Sequence, residues 1–436
     1  MRAARLGVKR RSADERGAHR LEAALLCLEA SLGVCYAAAM EGRRIAVGAL
    51  VLALGVAAPF AVGALLRETP QGEEAVKLPS EVPSAAPAND AGADGSASPN
   101  GSSDDGQLNE VGDPLDDTVH GTLEAQREQL FTRMARYYSQ EQMQAVRAVF
   151  DASKMMGQGN PEPTEHPMTR SECAERRAKH PEVRAPDPRC GAPFMVPVYA
   201  REPLTVDRYA DGGALPEAGL APLPTDAESA KLCIDQYEFP GLPCEYPVVY
   251  VRANEAAALC GAVGKRLCDA HEWEGACAGS LRPIEVEYAF GDRRMLMQWF
   301  ANRQVPKLWA YGAEKDHARC ATHSAKNKRC VSGSWRECGS NTYPAGAFPE
   351  CVSAFGVYDQ HGNAAEHMNL PLTPDQLMSR GGSGETEMKG SWFIFNSYEA
   401  HPDDCRYRAP AWHVTNVTAE DSHRNFHLGF RCCKSL

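Results

Sequence analysis

Apolar residues along this chain fall into distinct regimes, and each regime predicts a different kind of structure. Residues 45–66 carry no charge and are flanked by Arg43, Arg44 and Arg67. At about 1.5 Å per residue, such a run as a helix spans a hydrocarbon core about 30 Å thick. From 79 to 117 the chain is mostly Pro, Ala, Gly, Ser and Asp with almost no large apolar side chain. It cannot bury enough surface to offset its conformational entropy, which predicts a flexible acidic linker. Between 122 and 156, Leu123, Leu130, Met134, Tyr137, Met143, Val146 and Phe150 recur at helical spacing, and Ser139 with Gln142 makes a capping box. That predicts a helix pair or one broken helix, whose apolar face either docks on the main domain or binds a partner. Residues 157–229 are rich in Pro and Gly and sustain neither period, which predicts irregular loops with Cys173 and Cys190 as a local bridge. Alternation begins at Cys233-Ile-Asp-Gln-Tyr-Glu-Phe239. Short strands, many turns and one clear helix at 255–260 then predict an α+β fold with much loop, over roughly 200 residues.

These regimes divide the chain. Residues 1–39 are an extension that is disordered or precedes the true start, because Met40-Glu-Gly-Arg-Arg followed by an apolar run reads as an ordinary targeting sequence. Residues 40–67 are a signal anchor or, since Val62-Gly63-Ala64 suits a signal peptidase, a cleaved signal peptide. Then come the linker at 68–117, a helical segment at 118–156, an irregular connector at 157–229 and a domain at 230–436. Arg43 and Arg44 keep their end cytoplasmic and send the remainder across, which predicts a single-pass protein of the cell membrane with a periplasmic domain, or a secreted one after cleavage.

Charge narrows the partners. A formal net charge of -11 argues against nucleic acid, which needs clustered Lys and Arg, and leaves 45–66 as the membrane contact. Of the 16 cysteines, all but Cys27 and Cys35 lie beyond the apolar run, an even number in a compartment where disulfides persist. There is no Cys-x-x-Cys, so zinc is a poor explanation for them. Gly264-Lys265-Arg266 is not a phosphate loop: Leu259 and Arg266 stand where the pattern needs a glycine and a Ser or Thr.

The segment from Asp359 to Glu366 is a candidate cation site on its residues alone. Two carboxylates enclose Gly362 and Ala364, whose carbonyls add the hard oxygens that calcium prefers. The alternative is a turn in which both acids hydrogen-bond backbone amides.

A series of motifs runs in order through the last half of the chain. It opens with Ile234-Asp235-Gln236-Tyr237-Glu238, Gly264-Lys265-Arg266-Leu267, His271-Glu272-Trp273-Glu274, Ala289-Phe290-Gly291-Asp292 and Ala301-Asn302. It continues through Pro344-Ala345-Gly346-Ala347-Phe348-Pro349, Phe355-Gly356-Val357-Tyr358-Asp359 and His361-Gly362-Asn363-Ala364-Ala365-Glu366, and closes with Arg380-Gly381-Gly382-Ser383 and Gly429-Phe430-Arg431-Cys432. This series resembles the sulfatase-modifying factor domain of formylglycine-generating enzymes. The resemblance implies a loop-rich C-type-lectin-like fold with bound calcium, held by the side chains of Asp359 and Glu366 and the carbonyls of Gly362 and Ala364. A second family site would pair Asn302 with Asp316. The resemblance further implies bridges from Cys260 to Cys432 and from Cys277 to Cys405, the latter because Ala409 stands where the family keeps a cysteine.

The family oxidises a sulfatase cysteine to formylglycine with molecular oxygen and a copper(I) ion held by two thiolates. Aligning Arg406-Tyr407-Arg408 on the family's Arg-Tyr-Arg puts Asp404 at one reactive cysteine, and the stretch 395–399 holds no second one; the residue five before Cys405 is Ala400. The chain therefore reads as a non-catalytic binding or structural module with no copper and no catalytic residue. Its partner is an extracytoplasmic protein or glycan met by loops 281–316 and 383–404. Trp299, Trp309, Trp392 and Trp412 would form part of that surface or anchor small cores. The alternative is a metal-dependent oxidase with a non-standard site, either formylglycine-generating-like or with a mononuclear iron on His401, Asp403, Asp404 and His413.

Overall fold

The computed structural model describes residues 115–153, 164–201, 226–282, 302–303, 307–330, 338–371, 373, 376–378, 384–409 and 415–436. All of them lie in one compact unit, Ala75–Leu436. The extension, the apolar run 45–66 and the linker as far as residue 114 fall outside the described residues. Among the described helices, none is long and apolar enough to cross a membrane.

The helical segment is two helices, α1 (Leu123–Met134) and α2 (Gln140–Ser153). Thr122 caps α1 by accepting the Ala125 amide, and Ser139 and Gln142 exchange the two bonds of a capping box at the start of α2. Leu130, Phe131, Met134, Tyr138, Met143, Val146 and Phe150 join one buried cluster with Tyr237, Phe239 and Phe430 of the main domain. The face that the sequence left open to a partner is thus covered by the protein's own core.

Among the described residues, two small sheets and three further α-helices follow. Helix α3 (Arg170–Arg177) opens with a capping box between Thr169 and Glu172. Strand β1 (Met195–Val198) pairs antiparallel with β2 (Leu232–Asp235), then come α4 (Ala253–Ala262), β3 (Arg266–Leu267) and α5 (Ala270–Ala278). Strands β4 (Ala365–Leu370), β5 (Glu385–Lys389), β6 (Leu428–Phe430) and β7 (Cys432–Ser435) complete the order. One sheet runs β1-β2-β7-β3 and the other β5-β4-β6. This is a mixed α and β architecture with few regular elements, and β6 and β7, separated only by Arg431, stitch the two sheets together.

The connector 157–229 departs from the expectation of irregular loops. It supplies α3 and the edge strand β1, and β1 tolerates Pro197 because an edge need not donate on its outer side. Four residues are too short to display a period of two. The Cys173–Cys190 bridge is also corrected: Cys173 joins Cys244, and Cys190 joins Cys233. Helix α3 docks through Arg170, which donates from Nε and from its terminal nitrogen to Glu245 Oε1 at 2.9 and 2.7 Å, and this brings Cys173 to the neighbouring Cys244. The remaining bridges are Cys260–Cys432, Cys268–Cys433, Cys277–Cys405, Cys320–Cys351 and Cys330–Cys338.

Candidate functional site

The loop after β5 places Asp403, Asp404 and Cys405 against the end of α5. Asp404 Oδ2 lies 3.2 Å from Lys307 Nζ, and the Asp404 side chain is 4% exposed. Its neighbour Cys405 donates its amide to the Leu308 carbonyl at 2.8 Å and is bonded through sulfur to Cys277, a buried residue in the last turn of α5. Every cysteine beyond residue 67 is in a disulfide. A carboxylate already facing an ammonium, with no thiolate beside it, does not fit a soft monovalent copper ion.

Asp403 is the hub of this region. Its Oδ1 accepts from Trp309 Nε1 at 3.0 Å, its Oδ2 accepts from Ser391 Oγ at 2.9 Å, and His317 Nε2 stands 3.1 Å from Oδ2. His361 Nδ1 faces the same oxygen at 3.7 Å. Burial opposes ionisation, but His317 and His361 outweigh it and hold the Asp403 carboxyl far below its ordinary range. Among the described residues, the iron set of the alternative reading is not assembled. His401 Nδ1 meets the carbonyl of Pro402 at 2.7 Å and its ring stacks on Tyr407, while Asp404 faces Lys307; His413 is outside the described residues. Sequence reasoning missed His317 altogether, and no spacing among 317, 361 and 403 could have signalled their meeting.

The Asp359 to Glu366 turn is buried and runs into the start of β4. Asp359 and Asn363 sit at positive φ of 56°, and Gly362 at 83°. A Cβ on Gly362 would stand 2.7 Å from the Ala321 carbonyl oxygen, so only glycine fits there. Glu366 Oε1 accepts from Arg431 at 2.6 Å, and its Oε2 accepts from Arg431 Nε at 2.7 Å and Trp273 Nε1 at 3.1 Å. Asp359 Oδ2 accepts the Gly346 amide at 2.5 Å, whereas Oδ1 has no hydrogen-bond partner. Glu238 completes the cluster, accepting from Asn363 Nδ2 at 2.6 Å and the Ala364 amide at 2.8 Å. Burial pushes the Asp359 carboxyl up to about 6. Burial, then the charges of Asp359 and Glu366, raise Glu238 well above the usual range. Three buried carboxylates thus share the Arg431 guanidinium. Asp359 Oδ1 is open and Glu366 Oε1 accepts a single bond, so the donor set has room and charge for a hard divalent cation.

The second expected cation pair is not brought together. Asn302 holds the backbone of Arg408 with both ends of its amide, at 2.9 and 2.7 Å. Asp316 caps its own short turn, accepting from the Ala318 amide at 3.2 Å and pairing with Arg319 at 3.1 Å. The local bond of an acid to the amide two residues on is the ordinary competitor of a ligand role, and here it prevails. The described tryptophans of these loops act as anchors: Trp309 donates to Asp403, and Trp392, 8% exposed, stacks with Phe426.

Residues 235–436 match the family described as "Sulfatase-modifying factor enzyme 1-like domain". They form a sulfatase-modifying-factor domain. The formylglycine-generating enzyme of Mus musculus is 29% identical over 196 residues, 43% of this chain and 44% of the relative. That of Bos taurus is 28% identical over 197 residues, with the same coverage. The chain therefore spans less than half the length of these curated relatives. A solved structure titled "Crystal Structure of CarF" aligns over 56% of this chain and 98% of its own, at 13% identity and a TM-score of 0.29. Within the sulfatase-modifying-factor domain of this chain, the Arg431 cluster and the Asp403 hub occupy opposite ends of the stretch from His361 to Glu366, which links them.

Proposed function

We propose that the domain is a non-catalytic binding or structural module with a C-type-lectin-like chain path, stabilised by calcium and disulfides. It stands outside the cytoplasm on the acidic linker, tethered through residues 45–66. The observation that supports this reading is the absence of an available sulfur: Asp404 occupies the position of a reactive cysteine, and Cys405 is tied to Cys277. A protein or glycan is the class of partner that loops 281–316 and 383–404 would meet. Calcium would be held by Asp359 Oδ1, Glu366 Oε1 and the carbonyls of Gly362 and Ala364; its charge offsets the surplus of buried carboxylates left by Arg431.

Alkylation of the denatured, unreduced protein followed by peptide mapping tests the reading. No label beyond residue 67 is expected. Stoichiometric label on Cys405 or Cys277 overturns it.

A further inference from the structure

Among the bridges of the described residues, Cys277–Cys405 is grouped with an imidazole. Both sulfurs and His361 Nε2 lie within 4.8 Å of one another, all three residues being buried. His361 Nε2 is 3.4 Å from Cys277 Sγ and accepts the Ala310 amide at 2.9 Å, so in the neutral ring the proton sits on Nδ1, which faces Asp403. Asp403 Oδ2 stands 3.7 Å behind Nδ1, beyond hydrogen-bond reach, where its charge favours the Nδ1–H tautomer that leaves the Nε2 lone pair for a metal. Asp403 is itself held by Trp309, Ser391 and His317, so this backing is rigid. The comparable group at Cys268–Cys433 has Glu272 as its third member, and that carboxylate is engaged bidentately by Arg266 at 2.8 and 2.7 Å.

We propose that Cys277, Cys405 and His361 form a zinc site when their disulfide is reduced. A dithiol supplies the two electrons: the Cys277–Cys405 bond breaks, both sulfurs become thiols, and the dithiol leaves as its own cyclic disulfide. Zinc(II) then displaces the two thiol protons to solvent and takes two thiolates and the His361 Nε2 lone pair, which turns from the Ala310 amide. A water or backbone carbonyl fills the fourth position of the tetrahedron. The same residues thus act as a staple when oxidised and a metal centre when reduced, with Asp403 as a positioning residue. This goes beyond the binding-module reading: lack of zinc binding leaves that reading standing, and an oxidase activity would sink it without touching the zinc site.

The test uses the full chain, reduced with dithiothreitol under nitrogen and titrated with cobalt(II) as a spectroscopic stand-in for zinc. One equivalent should bind with a thiolate-to-cobalt charge-transfer band that zinc abolishes. The band should be lost in Cys277→Ser and His361→Ala and kept in Cys268→Ser. In Asp403→Asn it should persist with affinity weaker by about 10–100-fold. Zinc should also shield Cys277 and Cys405 of the unmutated protein, and not Cys320 or Cys351, from alkylation, a readout that needs no variant to fold. Absence of the band, its survival in Cys277→Ser, uniform alkylation with and without zinc, or resistance of Cys277–Cys405 to reduction while the fold persists would overturn the proposal.

Discussion

Replacing Arg431 by Met probes the centre of the domain. The guanidinium is buried and donates to both oxygens of Glu366, and also to the carbonyls of Tyr358 at 2.9 Å, Asp235 at 3.2 Å and Gln236 at 3.4 Å. Breaking a buried pair by removing one partner costs about 3–5 kcal/mol, because the other charge is left unpaired. The lost bonds to three carbonyls add about 1 kcal/mol each. Against a typical stability of about 5–15 kcal/mol, the variant should fold marginally if at all at neutral pH. Its deficit should also depend on pH. Burial already raises the Asp359 and Glu238 carboxyls and the Arg431 charge holds them down, so without Arg431 both rise further and the folded state keeps protons that the unfolded state releases. Stability then falls as pH rises above the unfolded carboxylate range, by about 1.4 kcal/mol per unit for each proton kept, and the gap to the unmutated protein widens from pH 4.5 to pH 7.5. Urea unfolding at the two pH values measures this. A deficit below about 1 kcal/mol, or one equal at both values, would refute the account of the cluster.

Other perturbations have defined outcomes. Phe150→Ala, which removes an edge-to-face partner of Phe131, should destabilise the whole domain by about 3–5 kcal/mol; an unchanged unfolding midpoint would mean that the helix pair is independent of the core. Cys405→Ser opens a bridge spanning 128 residues and should cost about 2–5 kcal/mol in thermal or denaturant unfolding, while leaving Cys260–Cys432 intact on mapping. Because the Asp359 carboxyl is raised to about 6, the metal-free domain should lose stability as pH rises from about 4 to about 6, and calcium, which needs the ionised form, should restore about 2–3 kcal/mol at pH 7.5 and far less at pH 5. Equal shifts at both pH values, or an Asp359→Ala variant that responds like the parent, would exclude that site.

The parts of this fold written in local residue order were legible. Ser139 and Gln142 announced the start of α2 because a capping box is a contact between residues three apart, and the ordered motifs from Asp235 to Cys432 named the family. What depends on distant segments was not legible. Strand β1 is recognised only by the partner it pairs with, and Cys173 is joined to Cys244 across a sequence separation of 71, beside the Arg170–Glu245 pair. The Asp403 hub draws His317 and His361 from loops far apart in sequence, so composition and spacing carried no trace of it. Asn302 and Asp316 failed as ligands for the opposite reason: local backbone bonds, invisible in a motif, had already engaged both side chains.

The central claim is that this domain has no sulfur with which to oxidise a substrate. The direct measurement is to incubate the purified protein with copper(I), oxygen and a cysteine-bearing sulfatase peptide, and to assay the peptide for an aldehyde by mass spectrometry. The account predicts an unmodified cysteine; conversion of that cysteine to formylglycine would contradict it.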